Sequence, residues 1–377
     1  MKEQVRILHV IGVRPIGGVE TVLLNYQLYM KEEKIQMDYL IFSDNKDGEF
    51  DRKVKAMGSQ VFLFPQLKEI RFFSIAALLN KFFKKHYFDI VHVHSPNIAS
   101  LCFYFAKKYG INIRILHSHS TIYSAKRWNR IRNRVLCLPL RWQATDLMAC
   151  SEAAGNFLFY GYKKEYQVLN NAIDYKKYKY QRKKREDIRR KLGIEEGTLV
   201  VGTVGRMEKE KNYIFLIQIF EEIIKKIKKA CLLFVGCGEL EGQLKIEVKK
   251  RKMEKQVIFY GYSKNVEELL QAMDVFVMTS WKEGLPLVAL EAQASGLPCL
   301  LSDAITKEVS VRNCSYMSLS SKIENWADKI IEIANQPVGS REEIGEEFIE
   351  KGFDIEKEAE KLKNYYINRK RRERNKK

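Results

Sequence analysis

Residues 274–303 read DVFVMTSWKEGLPLVALEAQASGLPCLLSD, and this stretch decides the fold class. An apolar, strand-like run is followed by a short polar loop, a helical stretch and a second apolar run. Apolar strands joined by helices are typical of a parallel sheet that is covered on both faces. Pro286 fits the first position of the helix, where its missing N–H costs nothing. The stretch therefore predicts a β–α–β unit of an α/β domain.

The same alternation runs through the whole chain, with six strand-like runs in the first half and five in the second. The charged segment 175–193, which has no strand pattern, separates the two series. We predict two doubly wound, Rossmann-like α/β domains that face each other across a cleft, at residues 1–174 and 175–350. Residues 351–377 are predicted to form a C-terminal helix that crosses back to the N-terminal domain and ends in a basic tail.

Composition narrows the protein class. The 377 residues suffice for two domains, and 46% hydrophobic with 30% charged residues argue against a disordered chain. No run reaches the roughly 18 uncharged apolar residues that span a bilayer. The start, MKEQVRILHVIG, is too short in apolar residues for a signal peptide, so we expect a cytoplasmic protein. Seven scattered cysteines without a CxxC pair argue against disulfides and cysteine-bound zinc.

A formal net charge of +19 leaves nucleic acid, an anionic membrane surface and phosphorylated substrates as candidate partners. Segments 67–88 and 124–142 interleave basic residues with aromatic and aliphatic ones. Such helices lie at anionic membrane interfaces, although ordinary surface helices with one buried face share the pattern. A peripheral location on the inner face of the cell membrane is therefore one expectation.

Two short motifs indicate a site for an anion. In VGTVGRMEKEKN, Arg206 and Lys211 follow a strand and precede a helix, so that two cations lie beside a helix N-terminus. This arrangement favours a phosphate or diphosphate, whereas an ordinary solvated loop is the alternative. In FVGCGELEG, Gly236 and Gly238 would let a ligand approach the backbone. A tight turn explains these two glycines equally well, because the third glycine of a dinucleotide fingerprint is missing.

Two carboxylates flank the apolar start of the helix in the opening stretch. Glu283 is predicted in the loop and Glu291 in the second helical turn, within ~8 Å of the helix start along its axis. A carboxylate without a partner is costly to bury, so both are expected to point into a cavity above the strand ends. There a carboxylate would accept hydrogen bonds from a vicinal diol such as that of a ribose.

All six histidines precede residue 120, and four form the pairs HVH and HSH: His92 with His94, and His117 with His119. Residues at i and i+2 share one face of a strand, which raises a metal site as one interpretation. No cysteine or acidic residue lies beside them in sequence, and we expect no metal. His9 and His92 are expected to be satisfied core histidines.

The motifs together resemble those of the family 4 retaining glycosyltransferases, which have the GT-B fold. EGLPLVALEAQASGLPCLLSD resembles the family's Glu-x7-Glu region, and GRMEKEKN its Gly-Arg…Lys-Asn element. IGVRPIGGVETVLLNY resembles its N-terminal glycine loop and first helix, ACSEAAGNFL a late N-domain strand and helix, and VLNNAID its interdomain Pro-Asn-Gly-[Val/Ile]-Asp. Leu285 and Pro286 replace a common Phe-Gly, which suggests the subgroup of bacterial exopolysaccharide and capsule enzymes. Asn170 and Ala172 replace the usual Pro and Gly, which puts in doubt a backbone contact at residue 172.

The resemblance implies a role for particular residues. Glu291 would hold the donor ribose, Glu283 the transferred sugar, and Arg206 with Lys211 the diphosphate. Glu283 is also a candidate nucleophile, although the family's same-face displacement without a covalent intermediate is favoured. His119 matches the family's histidine near the reacting sugar. The remaining implied contacts are Gly236, Gly284, Leu285, Pro286 and Leu287 with the donor, and Gly17 and Gly18 with the diphosphate or the acceptor.

The resemblance also implies a reaction. A hexose or N-acetylhexosamine would move from a nucleoside-diphosphate sugar, with UDP the expected nucleotide, to a hydroxyl of a glycan or lipid-linked glycan. Configuration would be retained, in bacterial surface polysaccharide synthesis, without metal or cofactor. The alternatives are a GT-B sugar-nucleotide epimerase and a basic nucleic-acid-binding protein. Neither is favoured, because an epimerase would typically lack the paired carboxylates and cations, and the positive charge lies largely in helices, linker and tail.

Overall fold

A computed structural model of the chain describes residues 4–13, 18–30, 34–43, 48–66, 72–121, 123, 127–335, 341 and 345–376. The chain divides into two compact units. The first contains Met1–Ala172 together with Ile355–Lys377, and the second contains Ile173–Asp354.

The first unit is a parallel sheet of seven described strands with helices between them. The strands are β1 (Val5–Val13), β2 (Ile35–Phe42), β3 (Val61–Phe64), β4 (Ile90–Val93), β5 (Ile113–Ser118), β6 (Asp146–Ala149) and β7 (Gln167–Val168). The helices are α1 (Gly18–Tyr29), α2 (Glu49–Ala56), α3 (Phe72–Lys85), α4 (Pro96–Lys108), α5 (Arg127–Cys137), α6 (Leu140–Gln143) and α7 (Glu152–Phe159). The spatial order is β3–β2–β1–β4–β5–β6–β7, and the central strands are buried because helices cover both faces of a parallel sheet.

The second unit has the same layout, with six described parallel strands. Its strands are β8 (Leu199–Val204), β9 (Ala230–Val235), β10 (Val257–Gly261), β11 (Val275–Met278), β12 (Cys299–Ser302) and β13 (Cys314–Met317). Its helices are α8 (Arg182–Lys191), α9 (Tyr213–Lys226), α10 (Glu241–Lys250), α11 (Val266–Ala272), α12 (Leu287–Ala294), α13 (Ile323–Ala334) and α14 (Glu346–Glu350), with 3-10 turns at Tyr175–Tyr178, Lys209–Lys211 and Lys307–Val309. The spatial order is β10–β9–β8–β11–β12–β13.

The last helix, α15 (Ile355–Arg374), belongs to the first unit, as the sequence predicted. The Tyr366 side chain is fully buried, and its hydroxyl lies 2.7 Å from Nδ1 of His92. Lys370 Nζ donates to the Asp89 carboxylate at 2.8 Å. A buried aromatic ring and an ion pair thus fix this distant segment on the first sheet.

The charged segment after residue 174 is part of the second unit, because two of its arginines bind one carboxylate. In α8, Arg185 donates to Asp274 at 2.5 Å and Arg189 lies 3.4 Å from the same side chain. Asp274 also accepts from the backbone N–H of Val200 at 2.7 Å. This segment therefore packs as a helix on the sheet.

Three local expectations differ from the structure. Pro286 occupies the N-cap position, with φ −72° and ψ 113°, and α12 begins one residue later. The strands β7 and β13 were not predicted from the sequence, because they are short edge strands without a continuous apolar run.

In both sheets the strand order reverses between two neighbouring strands, β1 and β4 in the first unit and β8 and β11 in the second. In doubly wound folds the connections after such a pair of strands run to opposite faces of the sheet, which opens a crevice at their carboxyl ends. Ligands of doubly wound folds bind at such points. The residues after these four strands therefore decide the chemistry of each unit.

Candidate functional site

In the second unit, the loop after β8 carries both predicted cations. The Arg206 guanidinium donates to Glu208 at 2.5 Å and is 46% exposed. Lys211 ends a 3-10 turn and is 19% exposed. Asn212 follows with φ 54°, a left-handed conformation that asparagine tolerates, and it opens α9. The loop therefore offers one exposed and one largely enclosed cation at the start of a helix.

Hydrogen bonds from the loop after β11 hold Lys211 in place. The Thr279 hydroxyl donates to the carbonyls of Lys211 at 3.2 Å and Asn212 at 3.1 Å. The backbone N–H of Trp281 donates to the carbonyl of Glu210 at 2.9 Å. As a result, Lys211 Nζ reaches Oε1 of Glu283 at 2.6 Å, with both side chains less than one-fifth exposed. Two predicted site residues that lie 72 positions apart thus form one ion pair.

Gly236 and Gly238 have a structural reason to be glycine. Gly236 has φ +129°, and a Cβ there would lie 2.1 Å from the carbonyl oxygen of Gly205. A Cβ on Gly238 would lie 2.6 Å from backbone atoms of Met207, whose N–H donates to the carbonyl of Cys237 at 3.0 Å. The loops after β8 and β9 are therefore packed backbone against backbone. The tight-turn interpretation accounts for these glycines, and the donor contact of Gly236 stays a prediction.

Glu291 lies in the second turn of α12, as predicted, but its described partner was not foreseen. The Tyr178 hydroxyl, from the 3-10 turn that opens the second unit, donates to the Glu291 carboxylate. Lys177, which directly precedes Tyr178 in that turn, pairs with Glu267 at 3.0 Å. The alternation of tyrosine and lysine in YKKYKY is the one sequence signal that could have pointed to this contact.

Burial raises the pKa of Glu291 to about 7, although the Tyr178 hydroxyl and the charge of Lys177 act in the opposite direction. The carboxyl group is surrounded by protein even though the residue keeps some exposed surface. Burial, followed by the charge of Glu291, also raises the pKa of Tyr178, so that the phenol stays a hydrogen-bond donor. Glu291 therefore changes charge near neutral pH.

The other predicted donor residues lie at the start of α12. The side chains of Leu285 and Leu287 are 4% and 8% exposed and pack inside the unit. Gly284 lies in a bend and Pro286 caps the helix. These residues can therefore offer backbone groups to a ligand, and the leucine side chains serve the core.

In the first unit, Gly18 is the first residue of α1, and a Cβ added to it would meet no atom of the described residues within 4 Å. Gly17, the other predicted glycine of this loop, lies outside the described residues.

Five histidines meet on β1, β4 and β5: His9 lies in the middle of β1, and the other four lie at or just after the ends of β4 and β5. His9 Nδ1 lies 2.9 Å from His94 Nε2, and His94 Nδ1 lies 2.8 Å from His119 Nε2. His92 Nε2 lies 3.1 Å from His117 Nδ1. The sequence placed the four later histidines on shared strand faces. Only the register of β1 with β4, which sets His9 opposite His92, adds the fifth.

Burial lowers the pKa of all five rings, to about 3 for His9 and about 4 for His119. They are therefore neutral near pH 7, each with one N–H and one lone pair. Three ring nitrogens have no hydrogen-bond partner in the described part of the chain, namely Nε2 of His9, Nε2 of His117 and Nδ1 of His119. His9 is buried as predicted, but the expectation that it is fully satisfied is wrong.

The model of the family described as "Glycosyl transferases group 1" matches residues 184–374, just over half of the chain, and that of "Glycosyltransferase Family 4" matches residues 16–177. The chain belongs to the group 1 glycosyl transferases. It is thus a glycosyltransferase, as the motifs predicted, and neither the epimerase nor the nucleic-acid-binding alternative receives support.

Relatives of this glycosyltransferase match over nearly full length. EpsF of Bacillus subtilis, which is named as a glycosyltransferase, is 31% identical over 96% of each chain. The UDP-Gal:alpha-D-GlcNAc-diphosphoundecaprenol alpha-1,3-galactosyltransferase of Escherichia coli is 24% identical over 97% of each chain. The crystal structure of Anabaena Alr3699/HepE with UDP and glucose has a TM-score of 0.80 and 19% identity, covering 97% of this chain and 100% of that chain. The two parallel-sheet units are those of the GT-B fold.

Proposed function

We propose that this glycosyltransferase moves a hexose or N-acetylhexosamine from a UDP-sugar to a hydroxyl of a glycan or lipid-linked glycan, with retention of configuration. The ion pair of Lys211 with Glu283 at the reversal of the second sheet carries the proposal. It places a cation for the diphosphate directly beside a carboxylate for the sugar.

Lys211 can bind a phosphate without releasing Glu283. An ammonium group has three N–H donors, and the described ion pair uses one of them. Arg206, more exposed, can turn from Glu208 toward a ligand and bind it through two N–H groups. The start of α9 adds its backbone dipole. The loop is therefore suited to the negative charge that builds on a departing diphosphate.

Glu291 is suited to the ribose. Its carboxylate already accepts one hydrogen bond, from Tyr178, and an ionised carboxylate has room for several more. Two ribose hydroxyls could supply them and would favour the charged form. Since this group titrates near pH 7 in the free protein, binding of nucleotide is expected to strengthen as the pH rises through neutrality.

The chemical step needs charge stabilisation more than a protein nucleophile. Breaking the anomeric C–O bond leaves negative charge on the diphosphate, which Lys211 and Arg206 would stabilise. Glu283 is held by Lys211, a position suited to gripping sugar hydroxyls, and we propose a same-face displacement without a covalent intermediate. With two cations present we propose that the reaction needs no metal ion. His119 of the first unit remains the proposed histidine contact to the transferred sugar.

UDP is the proposed nucleotide because the names of two similar proteins contain it. The relative from Escherichia coli is named for a UDP-Gal donor and a diphosphoundecaprenol acceptor, and the Anabaena structure contains UDP and glucose. A relative from Staphylococcus aureus, 23% identical over 97% of this chain, is named for capsular polysaccharide biosynthesis. These names support a role in surface polysaccharide synthesis.

Calorimetric titration of UDP, GDP and ADP into the wild type and Glu291→Gln tests the donor site. We expect UDP to bind best and the variant to lose at least tenfold in affinity, about 1.4 kcal/mol. Glu267→Gln, which removes a neighbouring carboxylate of the same unit, is the control and should stay within threefold. Equal UDP affinity in the wild type and in Glu291→Gln would refute the ribose contact.

We further propose that the first unit binds an anionic membrane surface. The apolar stripe consists of Ile131 and Val135 on α5, Leu138 in the turn after it and Trp142 on α6, and these residues are 62%, 58%, 47% and 73% exposed. Exposed arginines, among them Arg134 and Arg141, accompany this apolar stripe. Basic residues beside exposed apolar ones favour the interface of an anionic bilayer. No described helix is long and apolar enough to cross a membrane.

Co-sedimentation with vesicles tests this surface. Binding to vesicles that contain phosphatidylglycerol should exceed binding to pure phosphatidylcholine and should fall with added salt. Ile131→Ser with Val135→Ser should weaken it severalfold. Ile246→Ser removes a similarly exposed isoleucine of the second unit and should have no effect. If both changes act alike, the stripe is not the binding surface.

A further inference from the structure

The histidine cluster contains more lone pairs than its hydrogen bonds can use. In the chain from His9 through His94 to His119, three neutral rings supply three N–H groups and three lone pairs, and two hydrogen bonds consume two of each. Whichever way the protons point, one end keeps a lone pair without a donor. Those two ends are His9 Nε2 and His119 Nδ1, both without a described partner. A third buried nitrogen without a described partner is His117 Nε2. A buried polar atom without a partner is costly, and a cation bound at His117 Nε2 would remove that cost.

The cluster offers two overlapping sets of three nitrogens. The inner set is His9, His92 and His94, and the outer set is His94, His117 and His119. Within each set one ring nitrogen per residue lies within 4.8 Å of the others. Ligand nitrogens of a tetrahedral zinc, each at 2.0–2.1 Å from the metal, are roughly 3.4 Å apart. Side-chain shifts of about one ångström would therefore suffice to bring the three nitrogens of either set to the spacing that zinc requires.

The outer set is favoured because the inner histidines support it. His94 Nε2 is bonded to His9, and His117 Nδ1 is bonded to His92. This leaves Nε2 of His117 as a ligand atom, together with Nδ1 of His94 if its hydrogen bond to His119 is exchanged for a metal ion. Metal-binding histidines usually donate their second N–H to a neighbouring group, and here both can donate inward. His92, which then accepts from His117, can donate its own Nδ1–H to the Tyr366 hydroxyl, 2.7 Å away.

Access also favours the outer set. His119 is half-buried, whereas all three inner residues are buried. An ion can therefore arrive from the His119 side, and water can fill a fourth position there. Among the described residues, the inner set offers neither this path for an ion nor this open position for water.

We propose that His94, His117 and His119 form a zinc-binding site with three imidazole ligands and one position open to solvent. Imidazole-only ligand sets suit zinc and similar transition metals, whereas magnesium and calcium require oxygen ligands. The ion joins the ends of β4 and β5 and replaces the proton that His94 and His119 share. It also occupies the ring of His119, so zinc inhibits sugar transfer. This last consequence alone rests on the proposed function.

Calorimetric titration of zinc into the chelator-treated full-length protein tests the site. Cys237→Ser serves as the background, because Cys237 is an exposed thiol that would bind zinc by itself. We expect one saturable site, and visible absorption typical of tetrahedral coordination when cobalt replaces zinc. His119→Gln should lower zinc affinity at least a hundredfold. His92→Gln removes a supporting group, so it should lower affinity roughly tenfold and leave the cobalt spectrum unchanged.

His86→Gln, which changes the one histidine outside the cluster, is the matched control and should bind zinc as the background does. Circular dichroism with chelator present verifies that each variant is folded, and His117→Gln provides a second outer variant. Absence of saturable binding in the background would overturn the proposal. So would loss of the site in His92→Gln with retention in His119→Gln, because that result would place the ion in the inner set.

Discussion

Replacing Glu291 with glutamine should remove a pH dependence from the stability of the second unit. Burial raises the pKa of this carboxyl from 4.5 to about 7, so the folded protein holds the proton more tightly than the unfolded chain. The stabilisation is complete below about pH 4.5 and is lost as the pH rises through 7. At about 1.4 kcal/mol for each pKa unit, the full loss amounts to about 3.5 kcal/mol. Glutamine cannot ionise, so the variant should not show this loss of stability.

The assay is urea denaturation at several pH values, followed by tryptophan fluorescence. Trp326 is fully buried in the second unit and Trp281 lies in the same unit, so changing Trp128 and Trp142 to phenylalanine confines the signal there. The difference in unfolding free energy, variant minus wild type, should rise by about 2.5 kcal/mol between about pH 5 and pH 8, because part of the loss already occurs below pH 5.

Tyr178→Phe provides an internal test of the cause. The Tyr178 hydroxyl stabilises the charged form of Glu291, so its removal should raise the Glu291 pKa further and move the pH-dependent loss of stability upward. If the difference between Glu291→Gln and the wild type is constant from about pH 5 to pH 8, Glu291 is not buried as described.

Three further changes probe the second unit. Lys211→Ala should lower kcat/KM by roughly a hundredfold or more, as loss of a charge-stabilising group does, while Lys209→Ala, in the same turn but exposed, should change it little; similar losses in both would deny Lys211 a special role. Gly236→Ala should lower the free energy of unfolding by about 3 kcal/mol in urea titrations, because its Cβ would lie 2.1 Å from the Gly205 carbonyl oxygen and the backbone has φ +129°. A decrease below about 1 kcal/mol would contradict this contact. Asp274→Ala should lower the free energy of unfolding by about 3 kcal/mol in the same titration, because it leaves two arginines without their carboxylate. A near-neutral effect would mean that water replaces the carboxylate as the partner of the two arginines.

Much of the fold could be predicted because it is local in sequence. Alternating apolar runs and helical stretches identified eleven of the described strands, and only the short edges β7 and β13 escaped. The position of Glu291 on α12 followed from helix geometry. The pairing of Glu291 with Tyr178 could not be predicted, since it depends on how the start of the second unit packs against that helix.

The sequence by itself determined the types of residue and their place at strand ends. Arg206, Lys211 and Glu283 follow strands, the histidine pairs lie at or just after strand ends, and parallel strands bring their carboxyl ends to one edge. Only the tertiary structure decided which of them touch. The pairing of β8 with β11 brings Lys211 to Glu283, and the pairing of β1, β4 and β5 joins five histidines. Strand order depends on the free energy of packing the entire sheet, which no short motif encodes.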